Sequence, residues 1–147
     1  MASQALIKDF EDLIGKENVF TSEADRQSYS FDSAVLEPVV PAMVLRPTTT
    51  EQLGLCVKKL YDNGIPMTVR GAGTNLSGGT IPDHSDTVVV LTTGLNRILE
   101  INPNDLYAVV EPGVITADFA AAVAKKNLFY PPDPGSQAVS TIGGNIA

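Results

Sequence analysis

At the centre of the sequence lies Val69-Arg-Gly-Ala-Gly-Thr-Asn-Leu-Ser-Gly-Gly-Thr80, in which four glycines stand among short polar residues directly after an apolar run. Glycine tolerates positive φ and lets main-chain N–H groups come close to a ligand. Thr74, Asn75 and Ser77 add side-chain donors. Successive N–H groups that point one way bind an anion without a lysine, so this stretch predicts a phosphate-binding loop.

Two known phosphate-binding motifs are close to this stretch but do not match it. The spacing from Gly73 to Thr80 is that of a P-loop, but Gly79 takes the place of the lysine that contacts phosphate. A dinucleotide fingerprint would need glycine where Leu76 stands, and Pro82 breaks the helix that should follow. The remaining alternative is a glycine hairpin with no ligand, although its backbone entropy is costly for a plain connection.

Composition and charge are typical of a globular protein and exclude several function classes. The 147 residues are 44% apolar and 18% charged, with a net charge of −7 and no basic stripe, which argues against nucleic acid as a partner. One cysteine, Cys56, permits no internal disulfide, and the sequence lacks both a leader pattern and a membrane span. We therefore expect a cytoplasmic protein. With one histidine and no His/Cys cluster, we expect no metal site.

Residues 1–40 are predicted to form an N-terminal helical segment. Ser3 caps an amphipathic helix that ends at Gly15, and Ser22 caps a second short helix that runs to about Tyr29. An extended linker is expected over 31–41.

Residues 41–147 are predicted to form an α+β binding domain that starts with a parallel βαβ unit. A strand over 42–45 leads to a helix that begins with a capping box of Thr49 and Gln52, and a parallel partner strand follows over 65–69. The second strand leads into the glycine loop. The loop should thus lie at the carboxyl end of a strand, where ligands of α/β units bind.

The second half of the domain is predicted to contain a small antiparallel sheet. Strands over 87–91, 98–101 and 107–111 form a meander, and Thr116 caps a helix that ends near Asn127. A rigid proline-rich segment over 130–136 precedes a second loop of glycines and small donors over 140–147. Because the chain stops within this second loop, we expect the binding domain to be incomplete at its C-terminal end.

Four segments together resemble the FAD-linked oxidases of the vanillyl-alcohol oxidase superfamily, which share a PCMH-type FAD-binding domain. The segments cover 70–79, 111–113, 131–136 and 141–145. Each is unspecific alone, but the four in this order and spacing are specific. Within the superfamily the sequence is most similar to the FAD-binding subunit of glycolate oxidase and to D-lactate dehydrogenases.

The resemblance implies that the chain binds FAD. It assigns the pyrophosphate to Gly71, Ala72, Gly73, Thr74, Asn75, Ser77, Gly78 and Gly79. It assigns the isoalloxazine and ribityl region to Pro132, Asp133, Gly135, Ser136, Thr141, Gly144 and Asn145. Some relatives attach FAD to a histidine at the position of Thr74, so the resemblance implies noncovalent FAD here. Arg46 and Arg70 are candidates for phosphate charge; alternatively, Arg46 ends a strand in solvent and Arg70 forms a local salt bridge.

The same resemblance implies that the protein oxidises a small 2-hydroxy acid such as glycolate or D-lactate, and an electron-accepting partner subunit is a further expectation. Family members carry their substrate-binding and proton-abstracting residues in a C-terminal cap domain. The catalytic residues are therefore expected beyond residue 147, His84 receives no role, and residues 1–147 alone should be inactive. The alternative is a nucleotide-binding regulatory or interaction module without redox activity.

Overall fold

The structure is a computed structural model that describes residues 3–147. Within this range the chain forms two sheets and five α-helices. The elements are α1 (Gln4–Ile14), β1 (Val19–Phe20), α2 (Glu23–Gln27), β2 (Met43–Leu45), α3 (Thr50–Asp62), β3 (Met67–Arg70), β4 (Val88–Leu91), β5 (Ile98–Asn102), β6 (Tyr107–Val110), α4 (Thr116–Ala124) and α5 (Ile142–Ile146). The fold is α+β, as the sequence predicts.

The larger sheet has four strands in the order β1-β2-β4-β3. Strands β2 and β3 each pair parallel with β4, and β1 pairs antiparallel with β2. The parallel βαβ unit is therefore confirmed, but β2 and β3 are not a directly paired couple as we expected, because β4 lies between them.

The prediction that β4 belongs to an antiparallel meander is wrong. All four of its residues are buried, and β4 occupies the centre of the parallel sheet. A continuous apolar run, rather than an alternating one, is the pattern of a strand that is covered on both faces. Within residues 3–147 the antiparallel sheet consists of two strands, β5 and β6.

One face of the large sheet is covered by α1 and α3. Phe10 of α1, Met43 of β2 and Leu60 of α3 are fully buried in this core, and Cys56 lies among them. Burial raises the pKa of the Cys56 thiol to about 11, so this cysteine packs in the core as a thiol. Truncating a buried phenylalanine such as Phe10 to alanine costs roughly 3–5 kcal/mol, so α1 is part of the core that supports the sheet.

Three of the four predicted helix starts are confirmed by their caps. The side-chain oxygens of Ser3, Ser22 and Thr49 accept hydrogen bonds from N–H groups in the first turns of α1, α2 and α3. One detail differs, because Gln52 Oε1 accepts from the Thr48 N–H at 2.9 Å instead of closing the box on Thr49. Helix α2 ends at Gln27, and β1 was not predicted. Residues 1 and 2 of the predicted N-terminal segment lie outside the described range.

In the second half, α4 is shorter than expected and Thr116 is not its cap. The N-cap is Ile115, and α4 ends at Ala124, three residues before Asn127. The Thr116 hydroxyl instead contacts Ser140, at 3.0 Å from its carbonyl oxygen. The helix packs under the β5–β6 sheet, where Phe119 and Val123 form a second apolar cluster.

The second glycine segment contains a helix rather than only a loop. Thr141 Oγ1 accepts a hydrogen bond from the Gly144 N–H at 3.3 Å and so caps α5. Two glycines disfavour a helix, but Ile142 is buried in the second cluster, and this tertiary contact overrides the weak local propensity. Within residues 3–147 no helix has the length and apolar character needed to cross a membrane.

Candidate cofactor-binding site

An open cleft of about 470 Å³ lies between the glycine loop that follows β3 and the segment around the start of α5. Most of the residues that the sequence assigns to the cofactor line this cleft. They are Gly71, Ala72, Gly73, Thr74, Asn75, Ser77, Gly79, Ser136, Thr141, Gly144 and Asn145. The two assigned segments, which are distant in sequence, therefore face the same space.

Four of the assigned residues do not line the cleft: Gly78, Pro132, Asp133 and Gly135. Gly78 has φ +76° and lies against the Leu36 side chain on the far side of the loop. Open space surrounds Gly135. Their assignment to the cofactor stays a prediction that rests on the resemblance.

The cleft also has lining residues that the assignment missed. They are Val69, Thr80, Thr92, Pro112, Ser140, Gly143 and Ala147. Thr92 directly follows β4. Had the sequence analysis placed β4 in the parallel sheet, it would have placed Thr92 at the same carboxyl edge as the glycine loop. Pro112 stands in one of the four segments that carry the family resemblance.

The glycine loop leaves the sheet at its carboxyl edge, as expected. Arg70 pairs with Leu91 at the ends of β3 and β4, and the Thr92 N–H donates to the Arg70 carbonyl oxygen at 2.9 Å. A Cβ atom at Gly71 would lie 2.5 Å from Thr141 Oγ1. The first loop and the start of α5 therefore touch at a position where only glycine fits.

Arg70 lies beneath the glycine loop, with its guanidinium against Gly73. Gly73 has φ +71°, and a Cβ atom there would collide with the guanidinium. Arg70 is only 6% exposed and donates from Nη1 to the Phe31 carbonyl oxygen at 2.7 Å. Burial lowers the pKa of Arg70 while the nearby Asp32 opposes the shift, and an arginine guanidinium keeps its proton in proteins. Arg70 therefore brings a buried positive charge under the loop.

The structure places the two arginines that we considered for phosphate charge in different surroundings. Arg70 forms hydrogen bonds to a carbonyl and a hydroxyl rather than the local salt bridge we considered. Arg46 donates from Nε to Asn18 Oδ1 and lies over the Phe20 ring. These contacts hold the Arg46 guanidinium beside β1, whereas the Arg70 guanidinium lies against Gly73 of the glycine loop.

Asn75 holds the shape of the loop from within. Its Oδ1 accepts hydrogen bonds from Ser77 N, Ser77 Oγ and Gly79 N at 3.1 to 3.2 Å. Its Nδ2 donates to Thr80 Oγ1 at 3.1 Å. Because the amide is used inside the loop, its contribution to a ligand is to orient the loop.

The opposite wall is fixed by the hydroxyls of Thr116 and Ser140 and by the amide of Asn145 in α5. Asn145 Nδ2 donates to Thr116 Oγ1 at 2.8 Å, and the Thr116 and Ser140 hydroxyls are 2.9 Å apart. The Gly143 N–H donates to the Pro112 carbonyl oxygen at 2.9 Å, and a Cβ atom at Gly143 would press on Pro112. This wall is therefore tied closely to the 111–113 segment.

The 111–113 segment is locked in place by an ion pair. Glu111 accepts two hydrogen bonds at Oε1 from the Arg97 side chain, at 2.6 and 3.1 Å, and one at Oε2 from the Arg97 N–H at 2.7 Å. The hydrogen bonds from the Arg97 side chain outweigh burial and lower the pKa of Glu111. Glu111 is thus a buried, ionised anchor next to the cleft-lining Pro112.

The chemistry of the lining fits an anionic, dinucleotide-shaped group. The walls offer main-chain N–H groups, threonine and serine hydroxyls and glycines that leave room for close approach, and no aspartate or glutamate of residues 3–147 lines them. Arg70 adds a cation beneath. Residues 3–147 contain no group of three or more His, Cys, Asp or Glu side chains placed to hold a metal ion.

Comparison with known proteins shows the family to which the chain belongs. A family model described as "FAD binding domain" matches residues 41–147. Glycolate oxidase subunit GlcD of Bacillus subtilis (strain 168) is 44% identical over 132 residues, which are 90% of this chain and 28% of that protein. D-lactate dehydrogenase of Anaerostipes hadrus is 30% identical over 142 residues, 97% of this chain and 30% of that protein.

A solved structure shows the same architecture. The crystal structure of p-cresol methylhydroxylase with substrate bound superposes with a TM-score of 0.84 at 26% identity, covering 95% of this chain and 28% of that chain. This chain thus spans under a third of the length of these relatives. It belongs to the FAD-binding domain family, within the FAD-linked oxidases of the vanillyl-alcohol oxidase superfamily, and its cofactor is FAD.

Proposed function

We propose that the complete protein oxidises a small 2-hydroxy acid, of the glycolate or D-lactate type, with FAD held in this cleft. The observation that carries the proposal is the cleft itself, built from two glycine segments in a chain that is 44% identical to a glycolate oxidase subunit. The names of both curated relatives describe oxidation of a 2-hydroxy acid.

The residues of this chain would bind and orient the cofactor. The loop over 71–79 would hold the pyrophosphate through main-chain N–H groups, with Arg70 supplying positive charge from below. Thr141, Gly144 and Asn145 would contact the part of the cofactor nearer the flavin ring. Bound FAD supplies the redox chemistry by accepting two electrons from the substrate, which leaves as the 2-oxo acid.

Further parts of the proposal concern regions outside the cleft. We place the base that takes the substrate's hydroxyl proton beyond residue 147, because no residue of the described chain combines a titrating side chain with a place in the cleft wall.

The Bacillus relative is named as a subunit, which favours a partner subunit that accepts the electrons. A buried, unreactive Cys56 suits a cytoplasmic location. We also propose that the FAD-binding domain begins at residue 41, and that residues 1–40 are an N-terminal helical segment that packs onto it through α1 and β1.

The experiment that tests this function is anaerobic reduction of the purified, flavin-loaded complete protein. Glycolate and D-lactate are each added, with L-lactate as the stereochemical control. We expect one of the first two acids to bleach the visible flavin absorbance, and stoichiometric 2-oxo acid to form. A flavin that no 2-hydroxy acid reduces would contradict the proposal, and would favour a nucleotide-binding module without redox activity.

A further inference from the structure

The segment over 31–36, which precedes the family match at 41–147, lies against the glycine loop. Ser33 Oγ donates to the Gly73 carbonyl oxygen at 3.4 Å, and the Phe31 carbonyl oxygen accepts from Arg70. Leu36 lies against Gly78. Residues outside the matched region are therefore in contact with both ends of the phosphate-binding loop.

The hydroxyl of Thr80 is the point where the loop and this segment meet. It accepts hydrogen bonds from Arg70 Nη1 at 3.2 Å and from Asn75 Nδ2 at 3.1 Å. Both of these groups are donors only, and a hydroxyl has two acceptor lone pairs and one proton. The proton of Thr80 is therefore free for one acceptor, which is Asp32 Oδ2 at 3.1 Å.

Both carboxylate oxygens of Asp32 accept hydrogen bonds. Oδ1 accepts from the Ala34 N–H at 2.8 Å while Oδ2 accepts from Thr80, and the residue is 9% exposed. Burial alone would raise the pKa of Asp32, but hydrogen bonds from the Ala34 N–H and from the Asn75 and Thr80 side chains lower it below its ordinary value. The group is a carboxylate at neutral pH.

We infer that Asp32 is a positioning residue of the FAD site, which holds the glycine loop in its binding conformation through Thr80 and Asn75. The chain of bonds runs from the Asp32 carboxylate to the Thr80 hydroxyl, then to the Asn75 amide, and from that amide to Ser77 and Gly79. Asp32 does not line the cleft itself. The inference concerns the cofactor site and does not depend on which substrate the enzyme oxidises.

Asp32→Asn tests this role because it preserves the shape of the side chain and replaces one acceptor oxygen by a donor NH₂ group. An asparagine has one acceptor oxygen, so its NH₂ group must replace one of the two carboxylate oxygens. If it faces the Ala34 N–H, two donors meet. If it faces the Thr80 hydroxyl, both lone pairs of that hydroxyl are already used by Arg70 and Asn75. The change also removes a negative charge near an anionic ligand, which by Coulomb's law alone would tighten FAD binding. Loss of the charge alone would therefore tighten FAD binding, whereas loss of the positioning role would weaken it.

The test measures the FAD dissociation constant of the apo form of the complete protein by flavin fluorescence. We expect Asp32→Asn to raise it by about tenfold to a hundredfold, the loss associated with a hydrogen bond to a charged group. Glu37→Gln removes the same charge from an exposed position of the neighbouring chain and should leave the constant unchanged. Thr80→Val should raise the FAD dissociation constant as Asp32→Asn does. Thr80→Ser keeps the hydroxyl and should bind FAD with the wild-type constant.

A second readout needs no cofactor. Hydrogen–deuterium exchange over 71–80 in the apo-protein should accelerate in Asp32→Asn and stay at the wild-type rate in Glu37→Gln. Unchanged or tighter FAD binding in Asp32→Asn would overturn the inference. Should Asp32→Asn fail to fold, the Thr80 pair decides, because equal FAD binding in Thr80→Val and Thr80→Ser would show that the hydroxyl holds nothing the cofactor needs.

Discussion

Gly71 and Thr141 meet across the cleft, and a Cβ atom on Gly71 would lie 2.5 Å from Thr141 Oγ1. The same Thr141 oxygen caps α5 through the Gly144 N–H. The glycine at position 71 therefore lets the first loop approach the second segment without displacing the cap.

This relationship predicts the outcome of a double-mutant cycle. Gly71→Ala should weaken FAD binding because the new methyl group displaces Thr141, and Thr141→Ala should cost about 0.5–2 kcal/mol of stability through the lost cap. In the double variant the methyl group added at position 71 has room because Thr141 Oγ1 is gone. The loss of FAD-binding free energy in the double variant should therefore be smaller than the sum of the losses in the two single variants. Titration of the four apo-proteins with FAD measures the coupling, and strict additivity would show that the two residues do not interact.

Much of the fold follows from local sequence signals. The caps at Ser3, Ser22 and Thr49 are short-range hydrogen bonds, so the residue types that form them mark the helix starts. The placement of the glycine loop followed from the strand before it. These features need only neighbours in the chain.

The features that the sequence did not predict depend on contacts between distant residues. The run over 88–91 is compatible with an edge or a central strand, and only its pairing with both β2 and β3 decides the matter. Helix α5 forms against the propensity of Gly143 and Gly144 because Ile142 is buried. Asp32 carries no motif, and its role depends on a hydroxyl 48 residues away.

Asn75→Ala tests whether the amide organises the loop. The change removes every hydrogen bond between the Asn75 side chain and the residues of the loop, so FAD binding should weaken by on the order of 1–3 kcal/mol. Asn104→Ala, at an exposed position in the β5–β6 turn, is the control and should bind FAD normally. Flavin titration compares them; equal affinity in both variants would mean that the loop keeps its shape without the amide.

The Glu111–Arg97 pair gives a pH dependence with a defined sign. The pKa of Glu111 lies below its ordinary value of 4.5, so the pair stabilises the fold fully above that value and loses its effect as the pH falls through the lowered pKa. Glu111→Gln should lower Tm at neutral pH, because the amide nitrogen would face an N–H or guanidinium donor. The Tm difference from wild type should stay level between about pH 6 and 8 and narrow below about pH 4.5. A difference that is independent of pH down to pH 3 would contradict this account.

The cofactor should be released by acid. Thr74 stands where some relatives carry the histidine that binds FAD covalently, and Cys56 is buried in the core away from the cleft. Acid precipitation of the holoprotein should leave all the flavin in the supernatant, where its absorbance is read. Yellow colour that stays in the washed pellet would show a covalent bond.

Gly73 and Gly64 form a matched pair for the central claim, that the glycine loop binds the cofactor. Both have positive φ, but a Cβ atom at Gly73 would collide with the Arg70 guanidinium, whereas open space surrounds Gly64 at the end of α3. Gly64→Ala should cost about 1 kcal/mol of stability from its backbone alone. It should leave the cofactor site unchanged.

The most direct measurement is the amount of FAD bound per polypeptide in Gly73→Val, beside Gly64→Ala and wild type, with circular dichroism of each apo-protein. A β-branched side chain resists positive φ, and its Cβ atom would displace the Arg70 guanidinium from its place against Gly73. The account predicts that Gly73→Val keeps the folded spectrum and binds no FAD, while Gly64→Ala retains full occupancy. Full occupancy in a folded Gly73→Val protein would contradict it, because the loop over 71–79 would then not be the site of the pyrophosphate.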